Sequence, residues 1–223
     1  MVSELDSPGR LRRGLVFVGV GALLGGAALT YKALRPVGPG TPAQNAPLAA
    51  MAGMGATLIA DPQPLPAFSL TSAQGPVTRD GLIGRWHFVF FGYTQCPDVC
   101  PTGLGLMAEL QRRLPERERP GVLFVSVDPQ RDTPALLGEY VPAFDPGFRG
   151  ATGDDAALAP LLKHLGVMVQ RHPPAQPNHP MTYTVDHTAS MFLIDPQARL
   201  RGVFSPPHDL ESMLADYRRL FAA

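Results

Sequence analysis

An excess of charge of either sign is what this 223-residue chain most plainly lacks: Lys and Arg number 19, Asp and Glu 19, and the net charge is zero. A nucleic-acid binder draws its general affinity from a basic surface, and nothing here offers one. Cysteine is scarce, with two in the chain, Cys96 and Cys100. Four positions apart, they cannot staple distant segments. A disulfide scaffold is therefore excluded, leaving a local redox pair, a metal site or an incidental pair. Residues 36–66 lack aromatic side chains and carry one charge, Asp61, among seven prolines, seven alanines and four glycines. Such a stretch buries too little apolar area to offset its ordering entropy, so it reads as a tether. At ~3 Å per residue it reaches on the order of 90 Å. Its Met51 and Met54 carry soft thioethers, but methionine in an alanine-rich linker needs no functional reading.

What is present begins with residues 14–31 (GLVFVGVGALLGGAALTY), which hold no charge over eighteen positions. At 1.5 Å per residue they cover about 27 Å, close to the hydrocarbon thickness of a bilayer. Arg10, Arg12 and Arg13 precede the run, while Lys32 and Arg35 follow it. The distribution favours an N-in orientation, with everything downstream outside. Three alternatives compete: a signal peptide cleaved near Gly26-Ala27-Ala28, twin-arginine export through Arg12-Arg13, and a buried core helix. Five glycines in the run weaken a soluble helix more than a membrane one. No cysteine directly follows the run, which argues against a lipoprotein anchor. The expected organisation is a short cytoplasmic N-terminus (1–13), a transmembrane anchor (14–34), a Pro/Ala/Gly-rich flexible linker (35–63) and a globular domain (64–223). The expected location is a single pass of the inner (cytoplasmic) membrane, with the domain on the periplasmic side.

Residues 68–78 suggest a hairpin around a Gly turn. WHFVFFG (86–92) and VLFVSV (122–127) are continuous apolar runs, as expected of strands covered on both faces. Between them Leu104, Met107, Leu110 and Leu114 recur at helical intervals. Met191–Ile194 and Leu200–Phe204 form a late strand pair around the turn Asp195-Pro196-Gln197-Ala198. Leu210, Met213, Leu214, Tyr217, Leu220 and Phe221 then mark an amphipathic helix. This order is α/β with a mixed central sheet, and it suits a thioredoxin-like fold.

Cys96 and Cys100 lie where the first apolar strand gives way to the helix, a position where open α/β sheets bind ligands. The partial positive charge of a helix N-terminus should stabilise a thiolate and lower its pKa. Four positions along a helix place the Cα atoms about 6 Å apart, within disulfide reach. Thioredoxin-type oxidoreductases have two residues between the cysteines. Three, as here, widen the bite and leave room for an ion. Two thiolates favour Cu(I) or Zn(II), and an imidazole would complete a trigonal site. Of six histidines, His87 falls in a strand, His164 in a helix, and His208 at the start of the last helix. His172 and His179 sit in a Pro-rich loop. His187, in the segment entering the strand Met191–Ile194, is a further candidate: in thioredoxin-like folds that segment faces the active-site helix, and no proline occupies it here.

Three segments together, FGYTQCPDVCP (91–101), VSVDPQRDTP (125–134) and YTVDHTASMFLIDPQARL (183–200), resemble the SCO/SenC family of copper proteins. The resemblance covers roughly residues 64–223 and extends to the anchor and linker. It implies that Cys96, Cys100 and His187 bind one copper ion per chain, as Cu(I) or Cu(II). It also implies that the chain is a metallochaperone rather than an enzyme, assisting assembly of the binuclear copper (CuA) centre of cytochrome c oxidase. The partner would be the oxidase's copper-bearing subunit, with other copper chaperones or thiol reductants upstream. The alternative is thiol–disulfide exchange by Cys96 and Cys100 as a redox pair. Asp98 and Asp186 flank ligands and are candidates for an outer role. Asp128, Arg131 and Asp132 read as a turn and helix cap.

Overall fold

The computed structural model describes residues 55–173 and 182–222. The expected anchor, Met51, Met54 and His179 lie outside them, and among the described residues no helix is long and apolar enough to cross a membrane. The strands are β1 (Ala56–Leu58), β2 (Ser69–Ser72), β3 (Gly75–Thr78), β4 (His87–Gly92), β5 (Gly121–Ser126), β6 (Phe148–Ala151), β7 (Val169–His172), β8 (Thr184–His187), β9 (Met191–Ile194) and β10 (Leu200–Phe204). The α-helices are α1 (Val99–Arg112), α2 (Pro134–Tyr140), α3 (Asp155–Leu165) and α4 (Leu210–Phe221).

Six strands form a mixed sheet in the order β1-β10-β9-β4-β5-β6. β4, β5 and β6 are parallel, while β9, β10 and β1 continue the sheet antiparallel. The continuous apolar run of β4 follows from its central position: every residue after His87 is buried. Phe88, Phe90, Phe91, Phe124 and Phe192 are all at most 2% exposed. Burial of each such ring contributes about 1.5–3 kcal/mol. α1 lays Leu104, Met107 and Leu110 on one side of the sheet, where bare Gly103 admits the Phe90 ring: a Cβ there would lie 2.9 Å from it. This is the thioredoxin-like arrangement expected from the element order.

Two differences from the sequence reading bear on the site. The sheet starts at Ala56, inside the segment expected to be linker up to residue 63, because β1 takes its order from pairing with β10. Ala-Thr-Leu is too short to show a strand pattern by itself. The segment entering β9 is itself ordered as a strand where it carries His187, the last residue of β8, which pairs with β7 in a separate two-stranded sheet.

Candidate metal centre

The centre is assembled at the carboxyl end of β4. There the chain turns, with Cys96 N–H donating to Tyr93 O at 3.2 Å, and enters α1. Cys96 borders an open groove of about 460 Å³ shared with Tyr93, Asp98, Asp186 and His187. Cys100 lies in the first turn of α1 with no exposed surface. Gly92 makes room for it, since a Cβ there would stand 2.6 Å from Cys100 Sγ. β9 runs antiparallel to β4 with Met191 opposite Phe90, so the segment leading into β9 arrives at this same end. His187 Nε2 thereby comes within 3.3 Å of Cys100 Sγ, and the three donor atoms of Cys96, Cys100 and His187 all lie within 4.8 Å of one another.

Sulfur and nitrogen donors holding one ion at about 2.0–2.3 Å stand roughly 3.5–4.0 Å apart. The Cys100–His187 pair at 3.3 Å is slightly tighter than that, and all three donors fall within 4.8 Å, so small adjustments would bring them onto one ion. The donor set is soft, as Cu(I) and Zn(II) prefer. The imidazole presents the correct atom: His187 Nδ1 lies 3.2 Å from Thr188 O, and because a carbonyl only accepts, Nδ1 carries the proton and Nε2 keeps its lone pair toward the thiols. The Tyr93 ring meets the imidazole edge-on at 6.0 Å.

The lowered thiol pKa expected from the helix terminus is not what Cys100 shows. Burial pushes the Cys100 thiol up, and its hydrogen bond to Cys96 and the charges of Cys96 and Asp132 add to the effect, while a backbone bond with Tyr93 opposes it. Burial also lowers the His187 imidazole pKa, against the Thr188 carbonyl and the charge of Asp186. Both shifts favour neutral groups, so an ion held here would have to displace the Cys100 proton.

The residues read as a turn and cap do more than that. Thr133 is the cap of α2, accepting from Leu136 N at 3.2 Å with Pro134 behind it. Asp132 is fully buried and braces the cysteine turn instead, accepting from Thr94 N (2.9 Å), Thr94 Oγ1 (2.6 Å) and Ser126 Oγ (2.6 Å). Asp128 pairs with Arg131 and accepts from the Tyr183 hydroxyl. Arg131 donates to Tyr183 O at 2.8 Å and Gln95 Oε1 at 3.1 Å, with its guanidinium carbon 3.8 Å from the Tyr183 ring centroid. Arg131 thus links the Cys96 turn to the residue preceding β8. The local spacing of these side chains suggested a cap; Thr94, Gln95 and Tyr183, the partners that tie them to the site, lie 36 or more residues away and left no local signal.

Asp98 and Asp186 line the groove but are exposed. Asp98 accepts from Thr102 Oγ1 at 3.3 Å, and Asp186 is 2.7 Å from His172 Nε2. Neither contacts a thiol. Of the other histidines, His208 Nε2 donates to Ala189 O at 3.0 Å, and His87 and His164 lie in β4 and α3.

A thioredoxin-like domain with a thiol–thiol–imidazole cluster at the end of its central strand defines the class of protein. A family model, SCO1/SenC, matches residues 59–222, and the chain belongs to that family. The bovine mitochondrial protein SCO2 homolog is 32% identical over 224 residues, 98% of this chain and 78% of the relative. Among solved structures, apo Sco1 from Thermus thermophilus is 35% identical with a TM-score of 0.68, covering 75% of this chain and 96% of that one. ScoI from Bradyrhizobium japonicum, solved with copper bound, is 36% identical with a TM-score of 0.62, covering 70% of this chain and 99% of that one.

Proposed function

We propose that this chain is a membrane-anchored copper metallochaperone, in which Cys96, Cys100 and His187 carry one copper ion outside the membrane to the CuA site of cytochrome c oxidase. The observation that carries the reading is the convergence of two thiols and an Nε2 lone pair, 3.3 Å from Cys100 Sγ at its nearest, beside an open groove. Copper bound in the Bradyrhizobium relative supports the choice of metal. The uncharged run at residues 14–31 supports the anchor. Copper is the cargo: an incoming donor reaches it through the groove, and the resident ligands leave one at a time.

The solved relatives match 70–75% of this chain and are themselves covered almost end to end, which supports a globular domain that folds by itself. A fragment starting at Met51 should bind one copper ion. His187→Ala should weaken Cu(II) binding by at least tenfold, as loss of one of three ligands requires, while two thiolates still hold Cu(I). Wild-type affinity for both oxidation states in that variant would overturn the assignment of His187.

Thiol–disulfide exchange is the second reading, favoured by Cys96 at the groove with Cys100 buried behind it. Cys96 thiolate would attack a partner disulfide, releasing one partner thiolate. Cys100 would then attack Cys96 Sγ, releasing the second and closing the Cys96–Cys100 bond. Undiminished turnover of copper-stripped His187→Ala would select this reading over delivery.

A further inference from the structure

The ladder between β7 and β8 changes character where it meets the metal centre. Its register, Val169 opposite His187, places Met168 opposite Thr188. A hydrogen-bonded pair of an antiparallel ladder exchanges two backbone bonds, N–H to C=O in each direction. One is made here: Thr188 N–H donates to Met168 O at 3.0 Å. The return bond is different, because Met168 N–H donates to Thr188 Oγ1 at 2.9 Å. The carbonyl of Thr188 is turned instead toward His187 Nδ1.

We propose that Thr188 is a positioning residue of the metal centre: its hydroxyl substitutes for its carbonyl in the ladder, which frees that carbonyl to hold His187 Nδ1–H and keeps the Nε2 lone pair on the thiols. The inference rests on the reading of the site as a copper carrier and adds how the third ligand is prepared. The chemistry requires such a device. Neutral imidazole in water prefers its proton on Nε2, the atom that must face the metal, so the native tautomer needs an acceptor at Nδ1. The acceptor placed at Nδ1 is the Thr188 carbonyl, 3.2 Å away, while the Asp186 carboxylate meets His172 Nε2 at 2.7 Å. Without the hydroxyl, the acceptor that the ladder register sets opposite Met168 N–H is the Thr188 carbonyl, and closing that regular pair would draw it off Nδ1. The imidazole would then lose its anchor, although no atom that touches the ion had changed.

The substitution that isolates the hydroxyl is Thr188→Val, which keeps the branched shape; Thr188→Ser keeps the oxygen and drops the methyl. The metal-free domain from Met51 onward, ¹⁵N-labelled at alkaline pH, reports the His187 tautomer through two-bond ¹H–¹⁵N couplings. Wild type and Thr188→Ser should show the Nδ1–H form, and Thr188→Val a mixture or the Nε2–H form. Cu(II) titration should give a dissociation constant 10–100-fold higher for Thr188→Val, the usual loss for an outer partner of a ligating histidine, with Thr188→Ser within about threefold of wild type. Thr188→Val that retains the Nδ1–H form, or binds copper like wild type, overturns the proposal. If Thr188→Val does not fold, Thr188→Ser decides, because an Nε2-protonated imidazole there contradicts a role for the hydroxyl. A wild-type domain that takes no copper would defeat the chaperone reading, yet the tautomer measurement would still decide the role of Thr188.

Discussion

Gly92→Ala tests whether the centre is held by packing as tightly as the geometry implies. Gly92 ends β4 in the pairing with β5, and a methyl on its Cα would meet three atoms at once: Cys100 Sγ at 2.6 Å and Phe124 ring carbons at 2.6 and 2.8 Å. Carbon normally stands about 3.5–4.0 Å from such atoms, so they must retreat by roughly 1 Å. Neither has room, as Cys100 and Phe124 are both at 0% exposure. Overpacking of this kind costs about 1–3 kcal/mol, which lowers the melting temperature of a domain this size by roughly 2–12 °C. The larger consequence is local. A shift of ~1 Å in a sulfur that should bond at about 2.3 Å breaks the three-donor geometry, and the copper dissociation constant should rise at least tenfold. Gly105→Ala is the control on the same helix: a Cβ there meets nothing within 4 Å, so the helix should gain up to about 1 kcal/mol with copper binding unchanged. Differential scanning calorimetry and competitive copper titration read both variants. Wild-type melting and copper affinity in Gly92→Ala would refute the packing argument.

Acid should weaken the fold through His87, whose imidazole pKa is lowered from 6.5 to about 4 by burial, with the charge of Arg85 adding and a hydrogen bond to the Arg85 carbonyl opposing. Above 6.5 both folded and unfolded forms are neutral and stability is complete. Between 6.5 and about 4 only the unfolded chain takes the proton, so stability falls, by about 2 kcal/mol after allowing for partial exposure of the ring. Urea unfolding from pH 8 to pH 4 should show that loss in wild type and a smaller one in His87→Gln; parallel profiles would count against it. Asp132→Ala strips the acceptor from Thr94 N–H, Thr94 Oγ1 and Ser126 Oγ, which should cost about 2–4 kcal/mol and quicken copper release from the loosened turn. Denaturant titration and stopped-flow chelation measure the two effects, and an unchanged midpoint would show that Asp132 is not the brace.

Much of the frame was legible because its signals are local. The apolar run of β4, the helical spacing of Leu104, Met107 and Leu110, and the pair Met191–Ile194 with Leu200–Phe204 all appear as elements. Cys96 and Cys100 were marked by the strand-to-helix junction they occupy. β1, β6 and the β7–β8 hairpin were missed, since three or four residues of mixed polarity become strands through a partner distant in sequence. Asp132 and Arg131 were undervalued for the same reason, Thr94 and Tyr183 being their real partners. The Cys100 pKa was misjudged because the helix-terminus field is a local property, whereas burial, which overrides it, belongs to the finished core.

That the third donor lies 87 residues beyond Cys100 has a thermodynamic consequence. The two thiols are neighbours in any conformation of the chain, folded or not, while the imidazole joins them only once β8 and β9 are in place. An unfolded chain can therefore still grip a soft ion with two ligands, and only the native state grips it with three. The ion then raises unfolding free energy by the ratio of those two affinities rather than by the native affinity alone. Cu(I), content with two thiolates, should protect the fold less than its tight binding suggests, and an ion that depends on the imidazole should protect it more.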